Sequence, residues 1–167
     1  MKTQVTLGLM ALVIGTTAIG FKLQAAESAG ERAASAQAER VITVHKSASC
    51  SCCAGWIEHL EENGFDVKVE DTDNINKVKI EHQVPRELSS CHTAIIDGAV
   101  IEGHVPATDI VAYVDSQSRP FGERTIGIAV PGMPHGVPGM ETGRHDDYDV
   151  MAFAAGGRAE SVKRYEY

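Results

Sequence analysis

The sequence contains few basic residues. Lys and Arg number 15 against 23 Asp and Glu, which gives a formal net charge of −8 at pH 7. A protein that binds the phosphate backbone of nucleic acid needs clustered positive charge. We therefore expect no nucleic-acid partner, and we interpret the acidic balance mainly as an aid to solubility.

Common catalytic motifs are also absent from the sequence. It contains no glycine-rich phosphate loop, no nucleophile elbow and no paired histidines of the H-E-x-x-H kind. Apolar residues make up 43% of the chain and charged residues 23%. These proportions are those of a soluble globular protein, and they argue against a disordered chain or a multi-span membrane protein.

The N-terminal residues have the features of an export signal. Lys2 precedes an uncharged apolar run that ends at Phe21. We predict a signal peptide over residues 1–26. The alternative is an uncleaved membrane anchor, although the run is slightly short for a spanning helix. Residues 27–39 are rich in Ala, Ser, Glu and Arg and are predicted to form a linker. Because the N-terminal segment exports the chain whether or not it is cleaved, we expect the remaining residues in the periplasm.

Hydrophobic periodicity predicts the element order β-α-β-α-β-β-α in residues 40–118. The predicted elements are a strand at 41–45, a helix at 51–63, a strand at 65–70, a helix at 74–84, a hairpin of 92–96 and 99–103, and a helix at 106–114. This order is that of the thioredoxin fold, and we predict a thioredoxin-like α/β core. In that fold the loop after the first strand and the start of the third strand meet at one end of the sheet.

Residues 119–167 are predicted to form an extension that packs on this core. The extension contains a Pro/Gly-rich loop at 131–140. It ends in a predicted hairpin with strands at 148–153 and 161–167, which turns at Gly156 and Gly157.

Three of the four cysteines lie within the string Cys50-Ser51-Cys52-Cys53. This string begins the first predicted helix, where the helix dipole favours thiolates, and the predicted fold brings Cys91 to the same place. Thiolates are soft ligands that suit Cu(I), and adjacent cysteines suit bridging between metal ions. Zinc sites commonly use more widely spaced cysteine pairs, and so do iron–sulfur sites. We therefore favour a Cu(I) site made of all four cysteines.

Other interpretations of the cysteines remain open. Four cysteines in an exported protein would by default form two disulfides, but adjacent Cys52 and Cys53 cannot easily bond each other. Cys50 and Cys53 form a C-x-x-C pair, as in a thiol-disulfide oxidoreductase, which leaves Cys52 and Cys91 without a role. A zinc-stabilised binding module without redox function is the third alternative.

Several further motifs accompany the cysteines in order. They are the string H-K-S-A-S-C-S-C-C at 45–53, Cys91, G-H-V-P at 103–106, V-P-G-M-P at 130–134 and P-G-M-E at 138–141. With these motifs, residues 40–167 resemble the C-x-C-C periplasmic copper-resistance family of CopG-like metal-binding proteins. The resemblance implies a thioredoxin-like core and a multinuclear copper cluster bridged by the four cysteines. It also implies a role in copper resistance and, less directly, a change in the redox state of copper. We expect other periplasmic copper-handling proteins as partners.

Soft and imidazole side chains near these motifs are candidates for additional copper ligands. The candidates are Met133, Met140 and His104, followed by His135 and His145. The Pro/Gly-rich loop is expected to lie over the cluster as a lid. We expect His59, His82 and His92 to be structural or solvent-facing.

Overall fold

The computed structural model of the protein describes residues 40–167. The predicted signal peptide at 1–26 and the predicted linker at 27–39 lie outside these residues. Within residues 40–167, no helix is both long enough and apolar enough to cross a membrane.

The described residues form a mixed α/β structure with one seven-stranded sheet and three α-helices. The strands are β1 Arg40–Lys46, β2 Phe65–Asp71, β3 Thr93–Ile96, β4 Ala99–Glu102, β5 Thr125–Ala129, β6 Tyr148–Ala154 and β7 Arg158–Tyr165. The α-helices are α1 Ser51–Glu62, α2 Ile75–Glu81 and α3 Ala107–Asp115, and short 3-10 helices lie at Arg86–Leu88 and Gly122–Arg124. The predicted α/β class is confirmed.

The strands lie in the order β2-β1-β3-β4-β5-β6-β7. β1 runs parallel to β2, and β4 runs parallel to β5. All other neighbouring strands are antiparallel. The last three strands therefore extend the same sheet beyond β4. The final strand begins three residues earlier than predicted, since β7 starts directly after the turn at Gly156 and Gly157.

The sheet has an apolar cluster on each face because successive strand residues point to opposite sides. On one face, Ile42 and Val44 of β1 belong to the larger cluster, together with Trp56 and Leu60 of α1. The two helix residues are four positions apart and so share one side of α1. The smaller cluster, on the other face, consists of Leu88, Val100, Ala129 and Phe153.

Helix α2 is shorter than the predicted helix at 74–84. Asn74 caps its start by accepting a hydrogen bond from the Lys77 amide at 3.1 Å. The helix ends because Gln83 adopts a left-handed backbone conformation, with φ of 56°. The Val84 amide then donates to the Lys79 carbonyl at 2.9 Å, which closes the last turn. Apolar spacing alone gave no sign of this early stop.

A buried ion pair connects α2 to the end of β4, beside the start of β3. The side chains of Lys79 and Glu102 are 6% and 0% exposed, and Lys79 Nζ lies 2.5 Å from Glu102 Oε1. The same Oε1 accepts a hydrogen bond from the Ser90 amide at 2.6 Å, and Oε2 accepts one from Thr93 Oγ1 at 2.7 Å. Lys79 Nζ also donates to the His92 carbonyl at 3.4 Å. The pair therefore fixes the backbone of residues 90–93.

Replacing Lys79 tests how much the fold depends on this ion pair. Lys79→Met should lower the free energy of unfolding by about 3–5 kcal/mol, because it leaves the carboxylate of Glu102 buried without its cation. Urea denaturation of the metal-free protein measures the change.

Lys77→Met is the matched control on the same helix. Lys77 is 71% exposed and lies 3.8 Å from the exposed Glu81. Its loss should cost less than about 1 kcal/mol. Equal costs for the two variants would contradict a structural role for the buried pair.

Candidate metal centre

Helix α1 holds three cysteines at its N-terminal end. Cys50 is the N-cap residue, in an extended backbone conformation, and Cys52 and Cys53 lie in the first turn. No acidic residue lies in this turn, so no carboxylate competes with the sulfur atoms for the positive end of the helix dipole.

The structure brings Cys91 to these three cysteines. Its Sγ lies 3.8 Å from Cys52 Sγ and 3.6 Å from Cys53 Sγ, and Cys50 Sγ lies 3.6 Å from Cys52 Sγ. All four sulfur atoms are within 4.8 Å of one another. Cys50 and Cys53 form a disulfide, whereas Cys52 and Cys91 are free thiols. The four predicted ligands are therefore neighbours, and two of them are oxidised.

The thiol of Cys91 is half-buried and is surrounded by hydrogen-bonding groups. Burial, and secondly the neighbouring thiol of Cys52, raise the pKa of Cys91 to about 12. His104 Nε2 lies 3.1 Å from Cys91 Sγ, and His92 Nδ1 lies 3.3 Å from it. Cys91, His92 and His104 thus form a second group whose ligand atoms lie within 4.8 Å of one another.

His104 was predicted as a candidate ligand, and the structure places it beside Cys91. The side chain is fully buried. Its Nδ1 lies 2.8 Å from the carbonyl oxygen of Pro138. A carbonyl can only accept, so Nδ1 carries the proton and Nε2 presents a lone pair to the sulfur. Burial lowers the pKa of His104, against the opposing effects of the Pro138 carbonyl and Glu141, which favours the neutral ring.

His92 contributes more to the site than the sequence suggested. Its ring is fully buried and packs against Trp56 in a tilted arrangement, with ring centroids 4.2 Å apart. Burial, followed by nearby His104 and Lys79, lowers its pKa well below the usual range. Its position directly after Cys91 was the available signal. His59 fits the structural expectation, since its Nε2 accepts a hydrogen bond from the Ala107 amide at the start of α3.

The other predicted ligands have different surroundings. Met133 is 54% exposed, and Met140 packs against the larger apolar cluster. His135 Nδ1 lies 2.8 Å from Thr142 Oγ1, and His145 stacks on Tyr167. Neither of these two histidines belongs to the groups of clustered ligand atoms found in residues 40–167.

The Pro/Gly-rich loop at 131–140 is attached to the site at both ends. Near its start, the Gly132 amide donates to the Ser89 carbonyl, and Ser90 Oγ donates to the Gly132 carbonyl. Near its end, Gly139 lies against the first turn of α1 with φ of 79°. A Cβ atom on Gly139 would lie 2.5 Å from the Trp56 amide nitrogen and 2.6 Å from the Cys52 carbonyl. Only glycine allows this approach, a requirement that the sequence did not reveal.

Comparison with known proteins places this site in a family. The family model described as "Protein of unknown function, DUF411" matches residues 88–140, which include Cys91, His104 and the Pro/Gly-rich loop. No curated protein matches the chain. A solved structure of copper resistance protein CopG, form 2, is 43% identical with a TM-score of 0.69, over 76% of this chain and 98% of that one. The chain belongs to the CopG-like copper-resistance family. Form 1 of CopG is also 43% identical, with a TM-score of 0.68 over 75% of this chain and 97% of that one.

The donor atoms of this family member fit a soft metal ion. Thiolates and imidazoles are ligands for copper, and the site offers no clustered carboxylates among residues 40–167. All four sulfur atoms can act as thiolates only after two electrons reduce the disulfide between Cys50 and Cys53. The state of this disulfide therefore sets the number of sulfur ligands.

Gly139→Ala tests the contact between the loop and α1. The new methyl group should force the loop away from the helix and lower the free energy of unfolding by about 1–3 kcal/mol beyond the backbone strain. Gly143→Ala is the matched control, because Gly143 has φ of 81° and open space around its Cβ position. Thermal or urea denaturation of both variants measures the difference. Similar losses would show that the close contact adds nothing to stability.

The pH dependence of alkylation tests the surroundings of Cys91. Below its pKa of about 12, the thiolate fraction of Cys91 rises tenfold per pH unit. Its rate of reaction with iodoacetamide should therefore keep rising between pH 8 and pH 10 in the metal-free disulfide form. Mass spectrometry of labelled peptides follows this rate. A rate that levels off near pH 9, as for an ordinary thiol with a pKa of about 8.5, would contradict the raised pKa.

Proposed function

We propose that the protein is an exported, periplasmic copper-binding protein that holds Cu(I) in a multinuclear, thiolate-bridged cluster. The ligands would be Cys50, Cys52, Cys53 and Cys91. The observation that carries this proposal is the convergence of all four sulfur atoms within 4.8 Å. The name of the CopG relatives, copper resistance protein, supports copper as the metal. The protein would contribute to copper resistance by sequestering copper, by transferring it or by changing its redox state.

The arrangement of sulfur atoms supports more than one copper ion. Cys52 Sγ lies 3.6 Å from Cys50 Sγ and 3.8 Å from Cys91 Sγ. Cys91 Sγ in turn lies 3.6 Å from Cys53 Sγ. Each of these central sulfur atoms has two sulfur neighbours with which it can share a Cu(I) ion, and Cu(I) readily accepts bridging thiolates. Copper is the cargo in this function, and partners would be other periplasmic copper-handling proteins.

The sheet topology supports a thioredoxin-like core as the scaffold of this site. The first four strands lie in the order β2-β1-β3-β4, with β1 parallel to β2 and antiparallel to β3. α1 follows β1 directly, so its N-terminus lies at the same end of the sheet as the start of β3. Export to the periplasm rests on the sequence of residues 1–26.

A thiol-disulfide oxidoreductase is the second candidate function, and the disulfide between Cys50 and Cys53 favours it. A substrate thiolate would attack one sulfur of this bond and form a mixed disulfide, while the other sulfur leaves as a thiolate stabilised at the helix N-terminus. This function gives Cys52 and Cys91 no part. A zinc-stabilised binding module is the remaining alternative.

Cu(I) titration with a Cys52→Ser variant separates these functions. The reduced protein, titrated anaerobically, should bind more than one Cu(I) per chain, because bridging sulfur atoms serve two ions each. Cys52→Ser removes a central bridge and should lower both the stoichiometry and the affinity. Metal analysis and luminescence of the thiolate–Cu(I) centre measure both.

The control variant is His145→Gln, which alters a histidine stacked on Tyr167 and should leave Cu(I) binding unchanged. Absence of tight Cu(I) binding, with disulfide exchange retained in Cys52→Ser, would instead establish the oxidoreductase. One tightly bound zinc per chain without Cu(I) uptake would establish the zinc module.

A further inference from the structure

The disulfide between Cys50 and Cys53 removes two sulfur ligands but leaves a second ligand group intact. Cys91 is a free thiol in this state, and His92 and His104 lie beside it. We propose that Cys91, His92 and His104 form a mononuclear metal site that binds one copper ion while Cys50 and Cys53 are disulfide-bonded. The choice of copper as the metal rests on the proposed function, whereas the existence of the site does not.

His104 is already oriented as a ligand. The hydrogen bond from Nδ1 to the Pro138 carbonyl fixes both the tautomer and the ring orientation. The lone pair of Nε2 then faces Cys91 Sγ at 3.1 Å. Two electron-rich atoms at this separation need a positive centre between them, which is the thiol proton in the metal-free protein. A metal ion that binds both atoms replaces this proton, which is released to solvent.

His92 provides a second imidazole on the same sulfur. Its Nδ1 lies 3.3 Å from Cys91 Sγ, and its ring is held between Trp56 and His104, with centroids at 4.2 and 4.9 Å. Its Nε2 is the one buried side-chain nitrogen or oxygen in residues 40–167 without a hydrogen-bond partner. Nδ1 faces the sulfur, so it is the nitrogen that can bind a metal ion, and Nε2 would then carry the ring proton.

The distances fit a single ion. Two ligands of one metal, with metal–nitrogen bonds of about 2.0–2.1 Å and a metal–sulfur bond of about 2.3 Å, lie roughly 3–3.5 Å apart at ordinary angles. The two sulfur–nitrogen separations of 3.1 and 3.3 Å fall in this range. One thiolate with two imidazoles is also a recurrent ligand set for copper.

Co(II) is a suitable probe because it does not oxidise the free thiols of Cys52 and Cys91. The full-length protein would be purified without reductant and titrated with Co(II). We expect one equivalent to bind, with thiolate-to-cobalt charge-transfer absorption in the near ultraviolet. X-ray absorption should show one sulfur and at least two nitrogen ligands. One equivalent of Cu(I), added anaerobically, should remove the cobalt bands.

Two variants and one control assign the ligands. His104→Gln and His92→Gln should each weaken Co(II) binding more than tenfold, whereas His145→Gln should not change it. Circular dichroism checks that each variant is folded. If His92→Gln unfolds, the numbers of sulfur and nitrogen ligands from X-ray absorption of the unaltered protein still test the proposal.

Several outcomes would overturn the proposal. The first is two sulfur ligands on cobalt, which would indicate a site formed by Cys52 and Cys91. The second is undiminished Co(II) binding by folded His104→Gln, and the third is no Co(II) binding by the unaltered protein. Persistence of the cobalt bands after Cu(I) addition would overturn the assignment to copper. Each result is independent of Cu(I) uptake by the reduced protein, which tests the proposed cluster.

Discussion

The metal centre depends on the placement of Cys91 opposite the start of α1. The buried ion pair between Lys79 and Glu102 produces this placement, because its hydrogen bonds hold the backbone on both sides of Cys91. A buried ion pair contributes little net stability compared with an apolar pair of the same shape, but it tolerates few alternative arrangements of its partners. Its contribution here is positional accuracy, since the sulfur atoms of the proposed cluster would have to be placed to within a fraction of an ångström.

In the proposed cluster, disulfide formation and metal binding compete for the same sulfur atoms. In the structure, Cys50 and Cys53 are bonded to each other, and the two remaining thiols lie within 3.8 Å of one another. A bound soft metal stabilises the reduced cysteines, and an oxidant that closes the disulfide withdraws two ligands. In the proposed site, the C-x-C-C string therefore couples the thiol redox state to the number of sulfur atoms that are available as ligands.

The sequence predicted the elements that rest on local patterns. The strand before the cysteines, helix α1 and the hairpin of β3 and β4 lie where periodicity and turn residues indicated. Long-range features were not predictable. Two of them are contacts between residues that are far apart in the chain, namely the pairing of Lys79 with Glu102 and the contact of Gly139 with α1. The third is the burial of His92, which depends on the orientation of its side chain. Helix α2 was predicted too long because a left-handed residue, Gln83, leaves no pattern of its own.

The hydrogen bond between His104 and Pro138 has a consequence for the C-terminal loop. An imidazole that binds a cation through one nitrogen becomes more acidic at the other, so its N–H donates more strongly. The Pro138 carbonyl that receives this hydrogen bond belongs to the loop beside α1. In the proposed site, metal occupancy and loop docking would therefore be thermodynamically linked, and each would strengthen the other by the same free energy. Detachment of the loop from α1 would then weaken metal binding at His104, so that loop movement and metal release would accompany each other.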